Sequence, residues 1–187
     1  MELITVWTKQ SNKILNTLEQ FGRHTVKKEY IVEKMEDHSQ LYLDCYTWLV
    51  NESKKHMEIP QDVRFPVWVS LKEEEIILNT KNDGTVILEL EVPKDNLMTF
   101  DIDKWGAIVN YQYIAKDKQD KEQHMKMLEN YGLDDDSSAY MSNFYPALKQ
   151  QIQKSWQRLF DDSVKLSAMD VGVLWEVKKE WVKKIYQ

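Results

Sequence analysis

The strongest pattern in the chain is an alternation. Val86, Leu88, Leu90 and Val92 are apolar at every second position, with Glu89 and Glu91 between them. A period of two predicts a β-strand with one face in a core and the two glutamates on the other. Residues 93–95 (Pro-Lys-Asp) break that strand, and residues 97–100 read as a short extended piece. Asp101 is placed to cap a helix whose apolar positions, Ile102, Trp105, Val109 and Tyr113, recur at helical spacing. Residues 85–113 therefore predict a strand, a turn and a capped amphipathic helix, the scaffold on which the other elements are expected to pack.

The flanking sequence predicts further elements of both kinds. Residues 3–8 carry Ile4, Val6 and Trp7 and read as a first strand. Ser11 is a candidate cap for a helix with Ile14, Leu15, Leu18 and Phe21 on its apolar side, and Gly22 falls where a helix terminates. Residues 30–32 suggest a short strand and 33–38 a loop. Residues 40–57 suggest a helix with Leu41, Cys45, Trp48 and Leu49 on one stripe, ended by Pro60. Residues 65–71 (FPVWVSL) and 76–78 read as extended, and Asn82-Asp83-Gly84 as a turn. Residues 116–130 predict a charged, exposed helix, 132–138 a loop, and 146–160 a helix whose core face is Leu148, Ile152, Trp156, Leu159 and Phe160. The end of the chain reads as a terminal hairpin, residues 171–177 going out and 181–186 returning. These elements predict an α+β fold of one domain, with small mixed or antiparallel sheets and about five flanking helices, which suits a length of 187 residues.

Composition narrows the choice of partners. The net charge of −6 disfavours a nucleic-acid backbone and an anionic membrane surface. No apolar run approaches the ~18 residues of a membrane-spanning helix, and the first ten residues lack a signal-peptide pattern. A single cysteine, Cys45, excludes an intrachain disulfide and fits a reducing cytoplasm. The 7 Trp and 9 Tyr imply either an aromatic-rich core, the commoner use, or a cleft that stacks a planar ligand.

Motifs for established chemistry are missing. His24, His38, His56 and His124 are far apart and form no metal-ligand spacing, so no metal is expected. There is no glycine-rich phosphate loop and no nucleophile elbow. Asp134, Asp135 and Asp136 read as a solvated acidic loop. Glu89 and Glu91 are expected to face solvent, the alternative being an acid lining a cleft. Asp170 and Glu176 share one face of a late strand, with Gly172 between them as a bulge or a close-approach position. The lysines of KKEWVKKIY are read as solubilising charges on an edge strand rather than as a nucleic-acid patch.

Three pieces of sequence, ITVWTKQS with Gly22, VILELEVPKDNLMTFDIDKW, and SWQRLF with VLWEVKKEWVKKI, resemble an uncharacterised bacterial family, domain of unknown function 3841. A more distant likeness is to the ADP-ribosyltransferase fold, carried by ILNTLEQFG after the first strand and by the V-P-x-D turn at residues 92–95. That likeness implies an NAD cleft between two small sheets. It implies Thr8 or Gln10 at the first-strand polar position, Trp68 or Ser70 at the middle-strand position, and Asp170 or Glu176 as the acid. The first strand ends without the His or Arg of that pattern; Arg23 and His24 come only after the helix. The expectation is thus an NAD-binding transferase of the ADP-ribosyltransferase class acting on a macromolecule. The rival is a non-catalytic module of bacterial or phage origin that binds a protein partner.

Overall fold

The computed structural model describes residues 2–35, 39–77 and 84–186. It is an α+β fold. In chain order the elements are β1 (Leu3–Ser11), α1 (Lys13–Phe21), β2 (Arg23–His24), α2 (Lys28–Met35), α3 (Ser39–Ser53), β3 (Val67–Val69), α4 (Glu74–Ile77), β4 (Thr85–Pro93), β5 (Met98–Asp101), α5 (Ile102–Val109), α6 (Lys118–Asn130), α7 (Asp136–Met141), α8 (Pro146–Ser155), β6 (Asp170–Leu174), β7 (Val177–Lys178) and β8 (Val182–Tyr186). The chain packs as two compact units, Met1–Thr99 with Val171–Gln187, and Phe100–Asp170.

The first unit is built on β4. It is the central strand of an antiparallel sheet ordered β1-β4-β8, with Val6 opposite Leu90 and Ile185 opposite Leu88. Val86, Leu88, Leu90 and Val92 are all buried and join Ile14 and Leu18 of α1, Val67, Val69, Leu174, Val177 and Trp181 in one core. On the other face Ile87 is also buried. Glu89 accepts a hydrogen bond from the Tyr186 hydroxyl at 2.7 Å, and Glu91 pairs with Lys183 at 2.7 Å, so side chains of β8 occupy both carboxylates. Helix α1 ends where Gly22 takes a left-handed φ of 68° and its N–H donates to the Leu18 carbonyl, a conformation that favours glycine. Residues Trp7 and Ser70 exchange two backbone hydrogen bonds and so attach β3 to β1.

Gly172 marks a close approach. It lies opposite Val69 in the antiparallel β3–β6 pair, and an added Cβ would meet Val69 Cγ2 at 2.6 Å, Leu97 Cδ1 at 2.8 Å and Leu71 Cδ2 at 3.2 Å. Val69 is buried and β-branched, with little room to rotate. Gly172→Ala is therefore expected to lower stability by ~1–3 kcal/mol, the usual cost of overpacking. Equilibrium urea unfolding measures this; an unchanged midpoint would show that the neighbours yield freely.

In the second unit Asp101 caps α5, its carboxylate accepting from the Asp103 N–H at 2.9 Å. Trp105, Ala107 and Ile108 are buried, and so is Lys104, whose ammonium donates to the carbonyls of Arg158 and Asp161 at 2.8 and 2.7 Å. In α8 and the 3-10 turn Trp156–Phe160 that follows, Leu148, Ile152, Trp156 and Leu159 are buried, while Phe160 is only partly so.

Several expectations change. Residues 30–32 lie in helix α2, where the flanking lysines and glutamates favour a helix over a three-residue strand. Residues 74–77 form the short helix α4; Leu78, Asn82 and Asp83, like residues 36–38, lie outside the described residues. Helix α3 stops at Ser53, well before Pro60. Helix α5 stops at Val109 because the chain turns through Tyr111, whose φ is 57°, so Tyr113 is not on its face. Asp136 begins helix α7, capped by Asp135, where a loop was expected. The tail is not a hairpin. Strand β6 pairs with β3, β7 with β2, and β8 with β4, because residues 175–176 and the 3-10 turn Lys179–Trp181 redirect the chain between them.

Candidate functional site

Of the four residues expected to hold a ligand, Thr8, Gln10 and Trp68 are joined by hydrogen bonds in the first unit, while Ser70 pairs through its backbone with Trp7. Thr8 is fully buried; its hydroxyl donates to the Trp68 carbonyl at 2.7 Å and accepts from the Gln10 amide at 2.8 Å. The Trp68 indole N–H donates to the Tyr46 hydroxyl at 3.1 Å, which ties β3 to α3. Burial pushes the Tyr46 phenol above its ordinary range, and its ring meets Phe65 edge-on at 5.8 Å. The Ser70 hydroxyl donates to the Lys72 carbonyl. These groups form a clasp between β1, β3 and α3, and the polar atoms of Thr8 and Trp68 are engaged within the protein.

The two candidate acids have different surroundings. Asp170 is half exposed and pairs with Lys165 at 2.8 Å at the end of the second unit. Glu176 is buried, accepts from Arg23 Nε, and has the Lys178 ammonium at 3.5 Å. Arg23 also forks onto Asp62 at 2.9 and 3.1 Å. The hydrogen bonds it donates to Asp62 hold the guanidinium above its ordinary value against the cost of burial, and Glu176 adds to them. Beside Arg23, burial and then Lys27 push the His24 imidazole down. Glu176 borders a cavity of about 270 Å³, together with Glu58, Asn96, Trp175 and Trp181.

A larger groove lies alongside. It has a volume of about 810 Å³, and Ile59 borders both spaces. One wall is helical: Leu43, Thr47, Val50, Asn51 and Lys54 follow at i, i+4, i+7, i+8 and i+11 along and just beyond α3. Cys45 and Leu49 of the stripe anticipated for this helix lie on another face and are buried, and Trp48 is partly so. Burial raises the Cys45 thiol to about 12, which leaves it unreactive. The remaining wall of the groove comes from Lys28 and the loop carrying Gln61, Arg64 and Phe65. Arg64 is fixed by donating to the carbonyls of Gln61 and Val63 at 2.7 and 3.1 Å. Among the lining residues Lys28, Lys54 and Arg64 face a single carboxylate, Asp44, so the groove is locally cationic in a chain of net charge −6. The mixed polar and apolar stripe at residues 43–54 was visible in the sequence, but its meaning depended on the loop that faces it.

Among the described residues no group of three or more His, Cys, Asp or Glu is placed to hold a metal ion, and no helix is long and apolar enough to cross a membrane.

The chain belongs to the family described as domain of unknown function (DUF3841), whose family model matches residues 5–183. No curated protein and no solved structure gives a significant match.

Proposed function

We propose that the first unit binds a phosphate-bearing nucleotide in the groove along α3. The observation that carries this is the cationic lining of an 810 Å³ groove, Lys28, Lys54 and Arg64, beside the apolar surface of Leu43, Ile59 and Phe65. Ligand sites of ~300–1,000 Å³ with an apolar lining and a few fixed polar groups are the usual form of a small-molecule pocket. Lysine and arginine are the side chains that hold phosphate oxygens, arginine in bidentate fashion. A base against Leu43 and Ile59 with phosphates toward Lys54 and Arg64 uses both features.

In the finer form of this reading the ligand is NAD and the reaction is ADP-ribosyl transfer. Glu176, in the adjoining cavity, is the carboxylate that stabilises the developing positive charge on the ribose. The bond from ribose C1′ to nicotinamide breaks, its electron pair leaves with nicotinamide, and a nucleophile of the acceptor macromolecule bonds to C1′ and releases a proton.

Titration calorimetry tests the reading. NAD and ADP-ribose are expected to bind one to one, and nicotinamide riboside, without the pyrophosphate, at least ~tenfold more weakly. Glu176→Gln is expected to retain NAD binding and to lose nicotinamide release. The absence of any heat with NAD and ADP-ribose would overturn the nucleotide reading and favour the rival, a protein-binding module without a small ligand. Binding without nicotinamide release would overturn the transferase form alone.

A further inference from the structure

The second unit contains a histidine whose surroundings no structural role accounts for fully. Helix α6 is mostly polar, and its buried residues are His124 and Leu128, one turn apart on the same face. His124 is 4% exposed. Its Nε2 lies 2.5 Å from Asp136 Oδ1, and the other oxygen of Asp136 accepts the Tyr113 backbone N–H at 2.9 Å. The Tyr113 ring stacks on the imidazole at 3.9 Å, with 9° between the planes. The Tyr113 hydroxyl donates to Asp120, which pairs with Arg158 at 3.1 Å, and the Arg158 guanidinium lies 5.2 Å from the centre of the Tyr113 ring. Burial would raise the Asp120 carboxyl, but the Lys116 N–H, the Tyr113 hydroxyl and the Arg158 charge hold it below the ordinary range. The histidine is therefore fixed in position: a carboxylate only accepts, so Nε2 carries a proton, and in the neutral ring Nδ1 then keeps its lone pair.

That Nδ1 is buried and has no hydrogen-bond partner among the described residues. Buried polar atoms are rarely left so. His124 also borders a cavity of about 440 Å³, whose apolar lining is Ala107, Met125, Leu128 and Leu166 and whose other polar lining includes Asp103, Gln112 and Lys121. Nδ1 is closed to water in this structure, so a guest reaches it only if Met125 or Lys121, exposed and flexible side chains that line the same cavity, rotate aside.

We propose that this cavity is a second ligand site, for a small, largely apolar molecule that carries one O–H or N–H and donates it to His124 Nδ1. The oriented carboxylate–histidine pair makes Nδ1 the specificity element, and the apolar wall supplies the contact area. The site lies within the second unit and does not depend on the groove along α3.

Phenol and anisole, of similar shape but differing in the donor, are the probes. Long-range proton–nitrogen NMR of the full chain reads the His124 ring directly. Phenol is expected to saturate and to move the Nδ1 resonance, and anisole to bind at least ~tenfold more weakly, since the acceptor then stays unpaired. His124→Phe is expected to abolish the preference. Asp136→Asn places an amide donor opposite Nε2, moves the ring proton to Nδ1, and is expected to collapse the preference while the cavity persists. If either variant fails to fold, the wild-type comparison of phenol with anisole decides. Equal binding of the two probes, binding of neither, or a wild-type spectrum with the proton on Nδ1 would overturn the proposal.

Discussion

Replacing Asp101 by alanine is expected to lower the stability of the second unit by ~3–5 kcal/mol, a large effect for one residue. The side chain is 1% exposed and accepts four hydrogen bonds. One comes from the Asp103 N–H at the start of α5; the others come from the N–H groups of Leu166 and Ser167 and the Ser167 hydroxyl, each at 2.7 Å. Alanine would remove a helix cap and leave two further backbone donors without an acceptor. The same bonds set a pH dependence. Burial alone would raise the carboxyl, but the donors outweigh it and hold the group at about 2 against an ordinary 3.8. A carboxyl depressed in the folded state contributes stability fully above the unfolded value and loses it as the pH falls through the folded one. About 2 kcal/mol of the wild-type stability should therefore disappear between pH ~4 and ~2. Asp101→Ala should lack this part of the acid slope. Thermal unfolding as a function of pH measures both, and a variant within ~0.5 kcal/mol of the wild type would show that the cap is dispensable.

Reversing the charge at Lys54 and Arg64 together is expected to weaken nucleotide binding by ~100-fold or more. Hydrogen bonds to charged groups contribute on the order of 1.5–3 kcal/mol each, and ~2.7 kcal/mol is a hundredfold in affinity. Lys54→Glu with Arg64→Glu removes two such bonds and sets carboxylates against the phosphates. Both side chains are exposed, so the fold should tolerate the change, with a melting temperature within ~3 °C of the wild type. Calorimetry on the folded double variant measures the loss. Unchanged affinity would place the phosphates elsewhere.

The sequence disclosed local structure well and assembly poorly. The alternation at Val86, Leu88, Leu90 and Val92 was enough to identify the central strand, because one buried face imposes the period of two. The Asp101 cap was equally legible, since the cap is a local hydrogen bond. The tail was not. Its residues alternate as strands should, but alternation does not say which strand is the partner, and β6, β7 and β8 each pair with a different one. The helix at residues 30–32 was missed because three apolar residues fit either period.

The candidate site was legible only in part. Thr8, Gln10 and Trp68 are joined by hydrogen bonds, Ser70 pairs with Trp7, Glu176 is buried at a cavity, and Asp170 pairs with Lys165. The groove escaped notice because one of its walls is a loop with no periodicity, and only that loop brings Arg64 and Phe65 to face α3. The pairing of His124 with Asp136 spans twelve residues and a helix boundary, and no spacing rule encodes it.

The nucleotide-binding claim is tested most directly by amide chemical-shift mapping of the full chain with ADP-ribose. The account predicts saturable shifts concentrated at Thr47, Asn51, Lys54, Arg64 and Phe65, the residues along the groove. Saturable shifts confined to other parts of the chain, or no shifts at all, would contradict it.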